Sequence, residues 1–72
     1  MRYEVLLGPN TRQWWVYDND TDEYIDIPTK ILNEVDLYSD DIDKQEKYLF
    51  GIVDKNPQWL YDEDYRYKDI EV

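Results

Sequence analysis

The chain has no cysteine, no histidine, a single serine and only two glycines. Without cysteine there is no disulfide, no thiolate ligand and no thiol nucleophile. Without histidine the commonest general base and metal ligand is missing. Ser39 has no neighbour in sequence able to activate it. Gly8 and Gly51 are too few to build a glycine-rich phosphate loop. Carboxylates are plentiful, but acid–base work needs two of them in environments that push their pKa values apart, and acids this dense are expected to stay ionised together. These absences predict a protein that is not an enzyme and carries no cofactor or metal. No apolar run approaches the roughly 20 residues that cross a bilayer. The opening MRYEVLLG is interrupted too early for a signal peptide. The expectation is a soluble, cytoplasmic chain without membrane contact.

What is present is aromatic and acidic. Residues 1–72 are short enough for one domain, and a chain of this size buries only about 60% of its unfolded surface. Trp14, Trp15, Trp59, Phe50 and eight tyrosines must make up the deficit, since each large ring removes roughly 150–250 Å² from water. Net charge is −10, and residues 13–43 hold ten acids against Lys30 alone. A field of that sign repels nucleic acid and anionic membranes and favours basic protein surfaces. It also keeps a small domain dispersed, which predicts a monomer or at most a weak homodimer.

Hydrophobic periodicity places the elements. Arg2–Leu7 alternates with Tyr3, Val5 and Leu7 on one side, as a strand does, and Gly8-Pro9-Asn10-Thr11 is a turn. Gln13–Tyr17 and Tyr24–Ile27 form a hairpin around Asp18–Glu23, where Asn19 or Asp22 can adopt the left-handed conformation in place of glycine. Pairing Tyr17 with Tyr24 sets Val16 against Ile25 and Trp14 against Ile27 on one clean apolar face. Trp15, Tyr17 and Tyr24 then lie on the other face, covered by the C-terminal segment or open to a partner. Pro28 opens a short helix over Thr29–Leu37 with Ile31, Leu32 and Val35 as its stripe. Asp41–Lys55 is the longer helix, with Ile42, Leu49 and Val53 aligned, Asp40 or Asp41 as cap and Asn56-Pro57 as stop. Gln58–Tyr61 anchors against the core, Asp62-Glu63-Asp64 turns, and Tyr65–Val72 is a fourth strand or a tail. The fold class is α+β: a small antiparallel sheet of three or four strands with one short and one longer helix on one face, in the order βββααβ.

Two patterns suggest binding. Asp18, Asp20 and Asp22, with Tyr24 and Asp26, occupy the spacing of calcium ligands, and over nine residues the stretch resembles an EF-hand loop. Glu23 stands where that loop needs glycine and Thr29 where it needs a closing glutamate, so an acidic hairpin tip is the better reading and a divalent-cation site the weaker one. The second pattern is the acidic total. Asp18, Asp20, Asp22, Glu23 and Asp26, then Asp36, Asp40 and Asp43, with Trp15, Tyr17 and Tyr24 as apolar anchors, define a candidate partner-binding surface within Gln13–Asp43. Carboxylates two apart on a strand are about 6.6–6.8 Å apart, on the scale of nucleic-acid phosphates. The leading expectation is therefore an acidic module that inhibits or modulates a protein with a basic surface or groove. It would bind no nucleic acid itself, and nucleic-acid mimicry of the kind phages and mobile elements use is its most specific form. The alternative is an adaptor or assembly protein using an exposed aromatic sheet face, with the charge serving solubility.

Overall fold

In the computed structural model, which describes residues 1–38 and 41–70, four strands form one antiparallel sheet in the order β1-β2-β3-β4, with both helices between β3 and β4 in sequence. The strands are β1 (Tyr3–Leu7), β2 (Trp14–Asp18), β3 (Glu23–Ile25) and β4 (Arg66–Tyr67); the helices are α1 (Thr29–Val35) and α2 (Ile42–Asp54). This is the α+β, βββααβ architecture expected from the sequence. The fourth strand is present but two residues long, and Glu71 and Val72 of the expected Tyr65–Val72 lie outside the described residues. No helix among the described residues is long and apolar enough to cross a membrane.

The hairpin register follows from which residues must share a face. Val16 opposes Ile25, Tyr17 opposes Tyr24, and the core side of β1 and β2 presents Tyr3, Val5, Leu7, Trp14 and Val16. Ile25, Ile27, Val35, Leu49, Val53 and Leu60 close the same cluster, so both helices and the C-terminal turn sit on one side of the sheet. A full helical turn of Leu49 to Val53 supplies the α2 contribution; Ile42, expected to continue that stripe, is half exposed because it is the helix's first residue.

Local signals fix the helix ends. Asp41 caps α2 by accepting the Lys44 amide at 3.1 Å, and Asn56 takes a left-handed φ of 56° just beyond the helix. Asp40, the other expected cap and a candidate contact, lies outside the described residues. Pro28 is the N-cap of α1 and not its first helical residue; its carbonyl accepts the Ile31 and Leu32 amides. A 3₁₀ turn at Asp36–Tyr38 then carries the chain toward α2, so α1 is two residues shorter than expected. The Tyr48 hydroxyl donates to Glu34 and ties α2 to α1.

Among the described residues, three other than glycine have positive φ: Arg12, Asp22 and Asn56, each at 56°. Asp and Asn tolerate this region; a long β-methylene chain does not, and the left-handed conformation costs an ordinary residue about 1–2 kcal/mol. Glycine gives back about 0.5–1 kcal/mol through its freer unfolded chain. Arg12→Gly is therefore expected to stabilise the fold by about 0.5–1 kcal/mol, read as a higher urea midpoint at unchanged slope.

Candidate functional site

The residues expected at one surface are divided among three places. The first is the far end of the β2–β3 hairpin, where Asp18, Asp20, Asp22 and Glu23 gather. The alternation that sets Trp14 and Val16 inward also carries Asp18 inward, and its carboxylate is fully buried. Arg2 donates to both of its oxygens at 3.0–3.1 Å, Arg66 donates at 3.0 Å, and the Asp20 amide donates at 3.0 Å. Burial by itself would push the Asp18 carboxyl up; the hydrogen bonds from Arg2, Arg66 and the Asp20 amide reverse this and hold it well below the usual carboxylate range. The Arg66 guanidinium is itself nearly buried and also reaches Glu23 at 3.1 Å, Thr21 at 3.2 Å and the Leu60 carbonyl. Burial alone would lower its pKa, but Asp18 and Glu23 raise it, so it stays charged.

Asp18 is thus a structural anchor and not the accessible contact expected from the sequence. In the weaker divalent-cation reading Asp18 holds the first ligand position, and its side chain is engaged by two guanidiniums. Among the described residues no group of three acids could hold a metal ion. Asp20 remains mostly exposed, with Arg2 at 3.4 Å on one side. Asp22 is exposed and accepts the Tyr17 hydroxyl at 2.7 Å.

The second place is the helix-free face of the sheet. Tyr17 and Tyr24 pack edge to face at 5.0 Å, Trp15 meets Tyr24 at 6.5 Å, and Tyr67 from β4 meets Trp15 at 6.1 Å. Of the two expectations for Trp15, a partner contact or cover by the C-terminal segment, the structure shows the second: it is only 8% exposed, because Tyr24 and Tyr67 flank its ring. Its indole N–H is buried with no partner among the described residues. What this face offers is the half-buried Tyr17 and Tyr24 and the more exposed Tyr67, with Glu4 across from Tyr17 on β1. Asp26 is half buried, bonds its own chain at Ile27, and takes the Tyr65 carbonyl with its amide, so it lies where β4 joins the sheet.

The third place is the opposite end of the molecule. Trp14 donates its indole N–H to Gln45 of α2 at 3.1 Å, and Asp36 lines the same groove as Trp14 and Gln45. Asp43 lies in the first turn of α2, two positions before Gln45, and lines a separate surface with Glu46, Lys47 and Phe50. Trp14 and Asp18 bound β2, about 13 Å apart along an extended strand. Asp36 and Asp43 are therefore separated from the hairpin tip, and the expected continuous Gln13–Asp43 strip resolves into two acidic ends.

Sequence reasoning missed Arg2 and Arg66, the two bases that neutralise Asp18 at the tip. The available signal was an acid, Asp18, extending the inward series Trp14, Val16; a carboxylate on a core face requires a buried partner.

Tyr17 gives a titratable reporter of the tip. Its hydrogen bond to Asp22 pushes the phenol up to about 12. A raised folded pKa means the bonded form contributes stability below the unfolded value of about 10, and that contribution is lost as pH rises through 12. Asp22→Gly removes the acceptor while suiting the backbone, so one tyrosine should return to an ordinary titration near 10 in ultraviolet absorbance.

No protein-family model, no curated protein and no solved structure matches this chain.

Proposed function

We propose that the protein is a small acidic binding module that docks a cationic protein surface with the helix-free face of its sheet. The observation that carries this is the row Tyr17, Tyr24 and Tyr67, aligned on a face without helices and bordered by Glu4 and Asp22, with the exposed Asp20 at the same hairpin tip. Aromatic rings on a rigid sheet supply contact area at little entropic cost, and the adjoining carboxylates supply steering toward a basic partner. The net charge of −10 gives that steering long range at low salt. Modulation or inhibition follows where the covered surface is the partner's own nucleic-acid groove, which is the mimicry form of the same proposal. An adaptor role uses the same rings with less dependence on charge.

The test is capture of partners from the source cells at low and high salt, with Tyr24→Ala and the Asp20→Asn/Asp22→Asn pair as variants. Capture that falls steeply with salt and is weakened by both variants is the expected result, with competition by duplex DNA marking the mimicry form. Salt-tolerant capture lost only in Tyr24→Ala supports the adaptor. Capture indifferent to both variants overturns this face as the site.

A further inference from the structure

At the Trp14 end the β1–β2 loop and the two helices enclose a groove of about 540 Å³, within the range of natural ligand sites. Leu7, Trp14, Leu32, Val35 and Ile42 form its apolar wall, and Gln13 and Gln45 add polar surface. Ile42 is 50% exposed, and Leu37, next in the chain to Asp36, is 81% exposed. Arg12 stands on one side of the groove and Asp36 is among its other lining residues.

Arg12 is the unusual member. All three residues with positive φ carry backbone strain or tolerate it by type, and two of them use their side chains locally. Asp22 accepts the Tyr17 hydroxyl, and Asn56 accepts the Tyr61 hydroxyl. Arg12 is the type least suited to that backbone, yet among the described residues its guanidinium makes neither an ion pair nor a hydrogen bond. A strained position occupied by an unengaged fork of donors beside a groove with one apolar wall is a local cost without an internal return.

We infer that this groove docks a segment of a partner polypeptide in which a carboxylate side chain, bound by Arg12, is followed by apolar residues on the Trp14–Ile42 wall and by a basic residue toward Asp36. The guanidinium fork matches a carboxylate with two parallel hydrogen bonds. A simple organic acid is a poorer match, because Asp36 shares the groove and the whole molecule repels anions. A segment that is net neutral across the groove satisfies both ends. This surface lies at the other end of β2 from the hairpin-tip acids and stands independently of the function proposed above.

The experiment is selection of a phage-displayed random peptide library on the full chain, followed by nuclear magnetic resonance mapping of the selected peptides on wild type and on Arg12→Gly. Enriched peptides should carry acid, apolar and basic positions in that order, and should shift the Trp14 indole N–H and the Ile42 methyls. Arg12→Gly should bind them about tenfold more weakly, the scale of one charge-assisted contact, while its melting temperature is no lower than that of wild type. Because that variant relieves backbone strain, weaker binding cannot be ascribed to unfolding. Peptides without a carboxylate, equal affinity for Arg12→Gly, shifts confined to the Tyr17–Tyr24 face, or no enrichment would each overturn the inference.

Discussion

Asp18→Asn is expected to remove about 3 kcal/mol of folding free energy, the low end of the 3–5 kcal/mol that follows when one member of a buried ion pair is deleted. A chain of 72 residues commands about 4–11 kcal/mol in all, so this one isosteric change consumes a large share. The low end applies because the two guanidiniums are not equally buried. The Arg2 side chain is 40% exposed and partly screened, whereas Arg66 is 10% exposed and keeps only Glu23 as counter-charge. In urea the midpoint should fall by about 1–3 M with little change in slope. Asp20→Asn, two residues away and open to water, should change stability by less than about 0.5 kcal/mol.

The acid limb separates this cause from lost packing. The Asp18 pKa is depressed in the folded state, so its contribution is present above the unfolded value of about 3.9 and is lost as pH falls from there through the folded value. The stability gap between wild type and Asp18→Asn should therefore be constant near neutrality and narrow below about pH 4. Parallel curves down to the acid transition would show that the carboxylate's charge is not what matters.

How far the sequence exposes such a feature depends on the range of the interaction. Strand alternation, the Tyr17–Tyr24 register, the Asp41 cap and the Asn56-Pro57 stop are set by residues a few positions apart, and each is found where the pattern places it. Asp22 also takes the left-handed turn position expected for it or Asn19. The candidate site is different in kind. Whether Trp15 is open depends on Tyr67, which lies 52 positions away and is brought over it by a two-residue strand with no strong pattern of its own. Whether Asp18 is a contact or an anchor depends on Arg2 and Arg66 at the two ends of the chain. A count of carboxylates in residues 13–43 could not separate the exposed ones from those already neutralised, nor place Asp36 and Asp43 at the other end of β2. The periodicity did contain one warning: the register that keeps acids out of the core at Tyr17 and Tyr24 sends Asp18 into it.

Arg66 holds the end of the chain in place, and Arg66→Ala should show the second large effect. The side chain bridges the Gln58–Tyr61 turn, through the Leu60 carbonyl, to Asp18, Thr21 and Glu23 of the hairpin. Its removal strands the Leu60 carbonyl and leaves Asp18 with Arg2 alone, at a cost of about 3–4 kcal/mol. With only two residues in β4, the pairing of Tyr24 with Tyr67 has little else to hold it. Tyr67 should then leave Trp15, and tryptophan emission should shift to the red before global unfolding. Water reaching the unpartnered Trp15 N–H offsets part of the loss, so the spectral change should exceed what the stability change alone suggests. Arg66→Lys retains the charge but not the fork, and one ammonium cannot serve the Leu60 carbonyl and two carboxylates together, so it should recover less than half of the stability. The double variant Asp18→Asn/Arg66→Ala should fall short of the sum of the single losses by about 2 kcal/mol, because neither partner is then left charged and buried without the other. Additive losses would mean that the two side chains act separately, and the account of Asp18 as an anchor for Arg66 would fail.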